Sequence, residues 1–155
     1  MAQKKKVILL AGPTASGKSK LAIKLAKYFD GEIVNADSMQ IYKEISILTS
    51  RPQKPHISLT KHHLYGVKSV KQNFSVGDWL DIVIKKIENI QKKSHIPIIV
   101  GGTGLYFKAL TEGLVKIPQI STNIRKEIRH MHSKIGQKQF YQKLINIDFL
   151  SKKFI

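Results

Sequence analysis

Gly12-Pro13-Thr14-Ala15-Ser16-Gly17-Lys18-Ser19 fits G-x-x-x-x-G-K-S/T at every specified position, and no other feature constrains the fold as much. Such a loop works between a buried strand and a helix, because its glycines let the backbone wrap until successive N–H groups and the helix N-terminus converge on a phosphate. Both flanks are present. Val7 to Ala11 is a short apolar run with a β-branched start, ended by Gly-Pro, as suits a strand covered on both faces. Lys18 to Phe29 carries Leu21, Ala22, Ile23, Leu25 and Ala26 as a broad helical apolar surface, with Asp30-Gly31 as its stop. All eight loop residues are candidate phosphate contacts. Lys18 is positioned to neutralise nonbridging oxygens, and Ser19 to ligate Mg²⁺. An ordinary loop with a helix cap would not require all four specified positions and both flanks together. Whether the phosphates belong to a nucleotide such as ATP stays open at this point.

The rest of the chain continues the strand and helix alternation. Glu32 to Ala36 reads as a second strand, and Ile96 to Val100 as another, with Pro97 tolerable near its start. Ser75 and Asp78 have the spacing of a capping box, and Val76, Trp79, Leu80, Val83, Ile84, Ile87 and Ile90 follow at helical spacing. Gly101-Gly102-Thr103-Gly104 leads into a short helix over Leu105 to Leu110. Ser46 to Asn73 lacks periodicity and reads as a long connection holding at most one short strand. The expected fold class is α/β, a P-loop NTPase-like parallel sheet flanked by helices, over residues 1–114. Residues 115–155 form a second, amphipathic helical segment with stripes Ile124, Ile128, Met131, Ile135 and Phe140, Tyr141, Leu144, Ile145.

Composition narrows the setting. The absence of cysteine removes disulfides, thiolate metal sites and cysteine nucleophiles, and leaves the cytoplasm as the expected compartment. Lys4-Lys5-Lys6 before Val7-Ile8-Leu9-Leu10-Ala11 imitates a signal peptide, but the apolar run is too short for one and for a membrane span. A formal net charge of +17 points to a polyanion such as RNA. Against this, 24 of the 27 basic residues are Lys and Ile occurs 22 times, the bias an AT-rich genome would produce. His56, His62 and His63 do not make a convincing metal set, and the helical register of Trp79 suits the core better than a base-stacking platform.

In many phosphate-loop proteins a second strand ends in an acid. Here Ile96 to Val100 ends in Gly101-Gly102-Thr103, and the acid, Asp37, follows the strand Glu32 to Ala36 instead. In a parallel sheet both turns lie at the carboxyl edge beside the phosphate loop. The octet, together with Asn35-Ala-Asp-Ser-Met-Gln-Ile-Tyr-Lys43, Thr49-Ser-Arg-Pro52, His63-Leu-Tyr65, Phe74-Ser75 with Trp79, and Ile96 through Leu110, resembles in this order the tRNA dimethylallyltransferase (isopentenyl-adenosine transferase) family.

That resemblance implies transfer of a dimethylallyl group from dimethylallyl diphosphate to the exocyclic amine of the adenosine 3′ of the anticodon, with the loop holding the leaving diphosphate. It implies Asp37 as the base, Thr103 as a partner near the reacting groups, and Asp37, Ser38, Met39, Gln40, Thr103 and Arg125 as tRNA contacts. It also implies Mg²⁺, and a monomer without membrane attachment. Asp37 could instead be a Mg²⁺ ligand or helix cap, Thr103 a cap, and Arg125 a solvated side chain. Two other functions remain open from the residues: a small-molecule P-loop kinase, and an inactive relative that retains binding, since the family's chains run longer.

Overall fold

The computed structural model describes residues 6–52, 57–115 and 120–153. The chain divides into two compact units, Met1–Leu114 and Val115–Ile155. In the first, β1 (Ile8–Ala11), α1 (Lys18–Tyr28), β2 (Gly31–Asn35), β3 (His62–His63), α2 (Val76–Gln91), β4 (Ile96–Gly101) and α3 (Gly104–Glu112) follow in sequence. The four strands form one sheet in the order β1-β4-β2-β3, and every pairing is parallel. Parallel strands need crossovers, and the helices that supply them cover the sheet faces.

Strand side chains alternate between faces, and the apolar runs of β2 and β4 feed two cores. Ile33 and Ile98 are opposed in register and pack with Ala22, Ile23 and Ala26 of α1. Their neighbours Val34 and Ile99 face the other way, against Trp79, Val83 and Ile90 of α2 and Tyr106 of α3. Trp79 is fully buried, stacks on Tyr106 at a centroid distance of 4.2 Å, and donates from Nε1 to the Asn35 carbonyl at 3.1 Å. It is a core residue that also satisfies a buried strand end.

The capping box at α2 closes in both directions: Asp78 N–H donates to Ser75 Oγ at 3.2 Å, and Ser75 N–H to Asp78 Oδ2 at 2.8 Å. α1 stops where the sequence places its stop, with the roles within the pair Asp30-Gly31 set by the structure. Asp30 takes the left-handed turn (φ 50°), while Gly31 is already the first residue of β2, where a side chain would meet the Ile96 carbonyl at 2.7 Å. The glycine is there for strand packing, and the aspartate makes the turn.

The long connection contains β3 and is stitched to the residues after β2. Val67 N–H donates to Ile41 O at 2.8 Å, Lys43 N–H to Lys68 O at 2.8 Å, and Tyr42 bridges Lys68 in parallel. His56 lies outside the described residues, whereas His62 and His63 are β3 itself. In the second unit, α4 (Thr122–Ile147) is capped by Ser121, whose Oγ accepts from Ile124 N–H at 3.3 Å. It breaks at Gly136 (φ 76°, ψ 167°), between the two apolar stripes, and a 3₁₀ turn follows at Phe149–Lys153. Among the described residues no helix is long and apolar enough to cross a membrane.

Glu32 in β2 is a charged residue with only 3% exposure. His63 Nε2 lies 2.6 Å from its Oε2 and Lys61 Nζ 3.4 Å from its Oε1, so the carboxylate ties β3 to β2. Burial works to raise the Glu32 pKa, but His63 and Lys61 together hold it below the ordinary 4.5. Burial lowers the His63 pKa below 6.5 despite the carboxylate, so a neutral imidazole donates to an ionised acid at neutral pH. Both folded pKa values lie below their unfolded ones, so the unfolded chain binds more protons in acid. Thermal melts should therefore show stability lost as pH falls below 6.5 through His63 and further below 4.5 through Glu32. His63→Gln should flatten the first of these two losses.

Candidate functional site

Each component of the site lies at the carboxyl end of a strand. After β1, Ala15 (φ 64°) and Gly17 (φ 82°) both take the left-handed conformation on either side of Ser16. Left-handed residues of this kind are typical of loops whose N–H groups line an anion-binding concavity, and at Gly17, the N-cap of α1, an L side chain would be strained. Ser16 Oγ donates to the Pro13 carbonyl at 2.8 Å. The Lys18 ammonium donates to that same carbonyl and to Ser16 Oγ at 3.3 Å, so its charge is held within the curve of the loop.

After β2, Asn35 organises the acidic turn. It is completely buried, its Nδ2 donates to the carbonyls of Asp37 (2.9 Å) and Leu64 (3.1 Å), and its Oδ1 accepts from Asp37 N–H (2.9 Å). Asp37 Oδ1 accepts from Met39 N–H at 2.9 Å, which fixes the carboxylate. Thr103, after β4, accepts from Ser38 N–H at 2.9 Å and donates to Ser38 Oγ at 3.3 Å. Its hydroxyl thus clamps the turn that carries Asp37 to the turn that follows β4.

β4 stands between β1 and β2, so its glycine turn separates the loop from the acid. A methyl group on Gly102 would lie 3.3 Å from the Gly12 carbonyl and 4.0 Å from Asp37 Oδ2, which places the carboxylate beside the phosphate loop across a single residue without a side chain. A cavity of about 420 Å³ opens here, lined by Thr14 through Lys20, Asp37, Gln40, Ser50, Tyr65, Val100 and Gly101.

The sequence candidates divide accordingly. Thr14, Ala15, Ser16, Gly17, Lys18, Ser19, Asp37 and Gln40 line the cavity, while Gly12 and Pro13 shape the loop from behind. Ser38 and Thr103 act on the turn. Met39 is 51% exposed, and Arg125 is exposed in the first turn of α4, in the other unit. Gln40 Nε2 donates to the Thr49 carbonyl at 3.0 Å, so its amide also anchors the neighbouring segment. Sequence reasoning gave Ser50 and Tyr65 no role. Tyr65 reaches the cavity from the residue pair after β3, and only the His63-Leu-Tyr65 motif marked it. Burial, and then the charge of Asp37, raise the Tyr65 pKa well above the phenol range, so it stays a neutral phenol. Burial, Tyr42 and Asp37 likewise push Tyr106 up to about 12.

Ser19 and Asp37 offer hard oxygen donors to one cavity, a set that fits Mg²⁺. Among the described residues there is no group of three or more His, Cys, Asp or Glu able to hold a metal, so phosphate oxygens of a ligand would complete the coordination.

The site depends on the close approach of β4 to the end of β2. A methyl on Gly101 would sit 2.1 Å from the Ala36 carbonyl oxygen. Gly101→Ala should therefore separate the two turns and destabilise the first unit by about 1–3 kcal/mol or more, read as a lowered urea midpoint.

The model of the IPP transferase family matches residues 40–155. The chain is 57% identical over 148 residues to a tRNA dimethylallyltransferase of Pelagibacter ubique, covering 96% of this chain and 47% of that one. A tRNA dimethylallyltransferase of Rickettsia bellii is 43% identical, covering 99% of this chain and 49% of its own length. Among solved structures, the full-length tRNA isopentenylpyrophosphate transferase from Bacillus halodurans superposes with a TM-score of 0.71 at 32% identity, over 98% of this chain and 50% of that one. A eukaryotic dimethylallyltransferase acting on tRNA gives 0.78 at 30% identity, over 93% and 36%. The chain spans about half the length of the curated relatives it matches.

Proposed function

We propose, from the premise that this chain belongs to the IPP transferase family, that its cavity transfers a dimethylallyl group from dimethylallyl diphosphate to the exocyclic amine of the adenosine 3′ of a tRNA anticodon. The observation that carries the reading is the carboxylate of Asp37 set against the phosphate loop across Gly102. A group-transfer site needs an anion cradle for what leaves and a proton acceptor for what attacks, one substrate apart.

The chemistry assigns each side chain a task. As the allylic carbon–oxygen bond breaks, negative charge grows on the departing diphosphate, and Lys18 with the loop N–H groups stabilises it more than the ground state. Mg²⁺, held through Ser19, would supply further charge neutralisation to the same oxygens. The amine of adenine is a weak nucleophile because its lone pair is delocalised into the ring. It becomes acidic as the new carbon–nitrogen bond forms, and Asp37 takes that proton. Thr103 and Ser38 keep Asp37 in place. The adenosine must leave its stack to reach this depth, the usual course for chemistry on a base. Ser38, Met39 and Gln40 border its approach, Arg125 contacts the tRNA, and the protein works as a monomer in the cytoplasm.

Titration calorimetry of this chain against dimethylallyl diphosphate and against ATP tests the reading. Binding of the prenyl diphosphate is expected, and binding of ATP alone would replace the transferase with a kinase. With unmodified tRNA and labelled donor, Asp37→Ala should lower incorporation by at least about 100-fold while diphosphate binding stays within a few-fold of wild type. Unchanged incorporation would remove Asp37 from the mechanism.

A further inference from the structure

We infer that Tyr65 is the wall on which the donor's alkyl group rests, and that its ring sets the largest prenyl group the cavity accepts; this rests on the transfer reading above. Most residues lining the cavity carry polar side chains: loop hydroxyls and lysines, with Asp37, Gln40 and Ser50. Its apolar members are Ala15, Val100 and Tyr65, and Val100 is only 5% exposed. Tyr65 is therefore the one large apolar surface, and the one aromatic ring, that the described lining offers to a hydrocarbon.

The ring is also held firmly. It packs against the core around Ile33, Ile98 and Val100, and lies 5.7 Å from the His62 ring. The main chain on either side is pinned, with Leu64 O accepting from buried Asn35 at 3.1 Å and Gly66 N–H donating to Gln40 O at 3.0 Å. A wall fixed from both sides cannot retreat for a longer substrate. Its phenol stays neutral beside Asp37, so the ring adds no charge to the hydrocarbon end, and its π face favours the positive charge that develops on an allylic carbon. Steric exclusion by a fixed wall discriminates by about 10–200-fold per misfit methylene, and a ten-carbon donor exceeds a five-carbon one by five carbons.

The test measures Kd of the 155-residue chain for dimethylallyl and for geranyl diphosphate by calorimetry, with thermal melts to verify folding. Wild type should favour the shorter donor by at least about tenfold, and Tyr65→Phe should keep that preference. Tyr65→Ala should shift the ratio toward geranyl diphosphate by at least about tenfold, and Tyr65→Val, which retains more core contact, should shift it in the same direction if the alanine variant fails to fold. A ratio unchanged in the folded small-residue variant overturns the inference while leaving the transfer reading intact. Wild type that binds ATP and neither prenyl diphosphate overturns both.

Discussion

The approach of Gly101 to the Ala36 carbonyl governs how the rest of this structure is arranged. Ala36 N–H donates to Val100 O at 2.8 Å, Thr103 N–H donates to Ala36 O at 3.3 Å, and only a residue without Cβ can stand between them. With the ends of β2 and β4 this close, the acidic turn and the glycine turn share one rim. Gly12 N–H donates to Gly101 O at 3.3 Å and brings the phosphate loop to the same place from the β1 side. Three strand ends thus meet around a backbone contact that tolerates no side chain.

Preorganisation follows from this packing. Asn35 is a buried polar residue whose cost is offset because its amide groups are all engaged, and it spends those bonds on shaping the Asp37 turn. Among the described residues no buried side-chain polar atom lacks a partner. Trp79 closes the network from beneath, joining α2 and α3 to the end of β2 through one hydrogen bond and one stacked ring. The turn that carries the Asp37 carboxylate is consequently held by the core.

Much of this was legible in the residues. The phosphate octet, the capping box at Ser75 and the apolar runs of β1, β2 and β4 are local signals, because N–H geometry, capping and face alternation depend on neighbours within a few positions. Asp37 was legible because strand polarity in a parallel sheet sends every turn of this kind to one rim. Asp30-Gly31 marked the stop of α1, but not that the aspartate makes the turn while the glycine already begins β2, since a glycine after a helix looks the same whether or not a strand begins there. Thr103 was marked for the reacting groups, and the structure adds a partner no local pattern could show, Ser38, 65 positions away in sequence. Little near Tyr65 in sequence announces a cavity wall, because its setting comes from a two-residue edge strand and from the distant residues of α1, β2 and β4 that it packs against.

The sequence by itself determined that a phosphate-loop motif lies between a strand and a helix, and that an acid shares the rim, because these follow from short-range spacing and from the uniform direction of parallel strands. Only the tertiary structure decided that β4 lies between the two, that a bare glycine backbone separates them, and that a tyrosine and a serine from the long connection complete the cavity. Strand order and the depth of a pocket are set by contacts between residues far apart in the chain, whose energies depend on the whole core and are written in no local pattern.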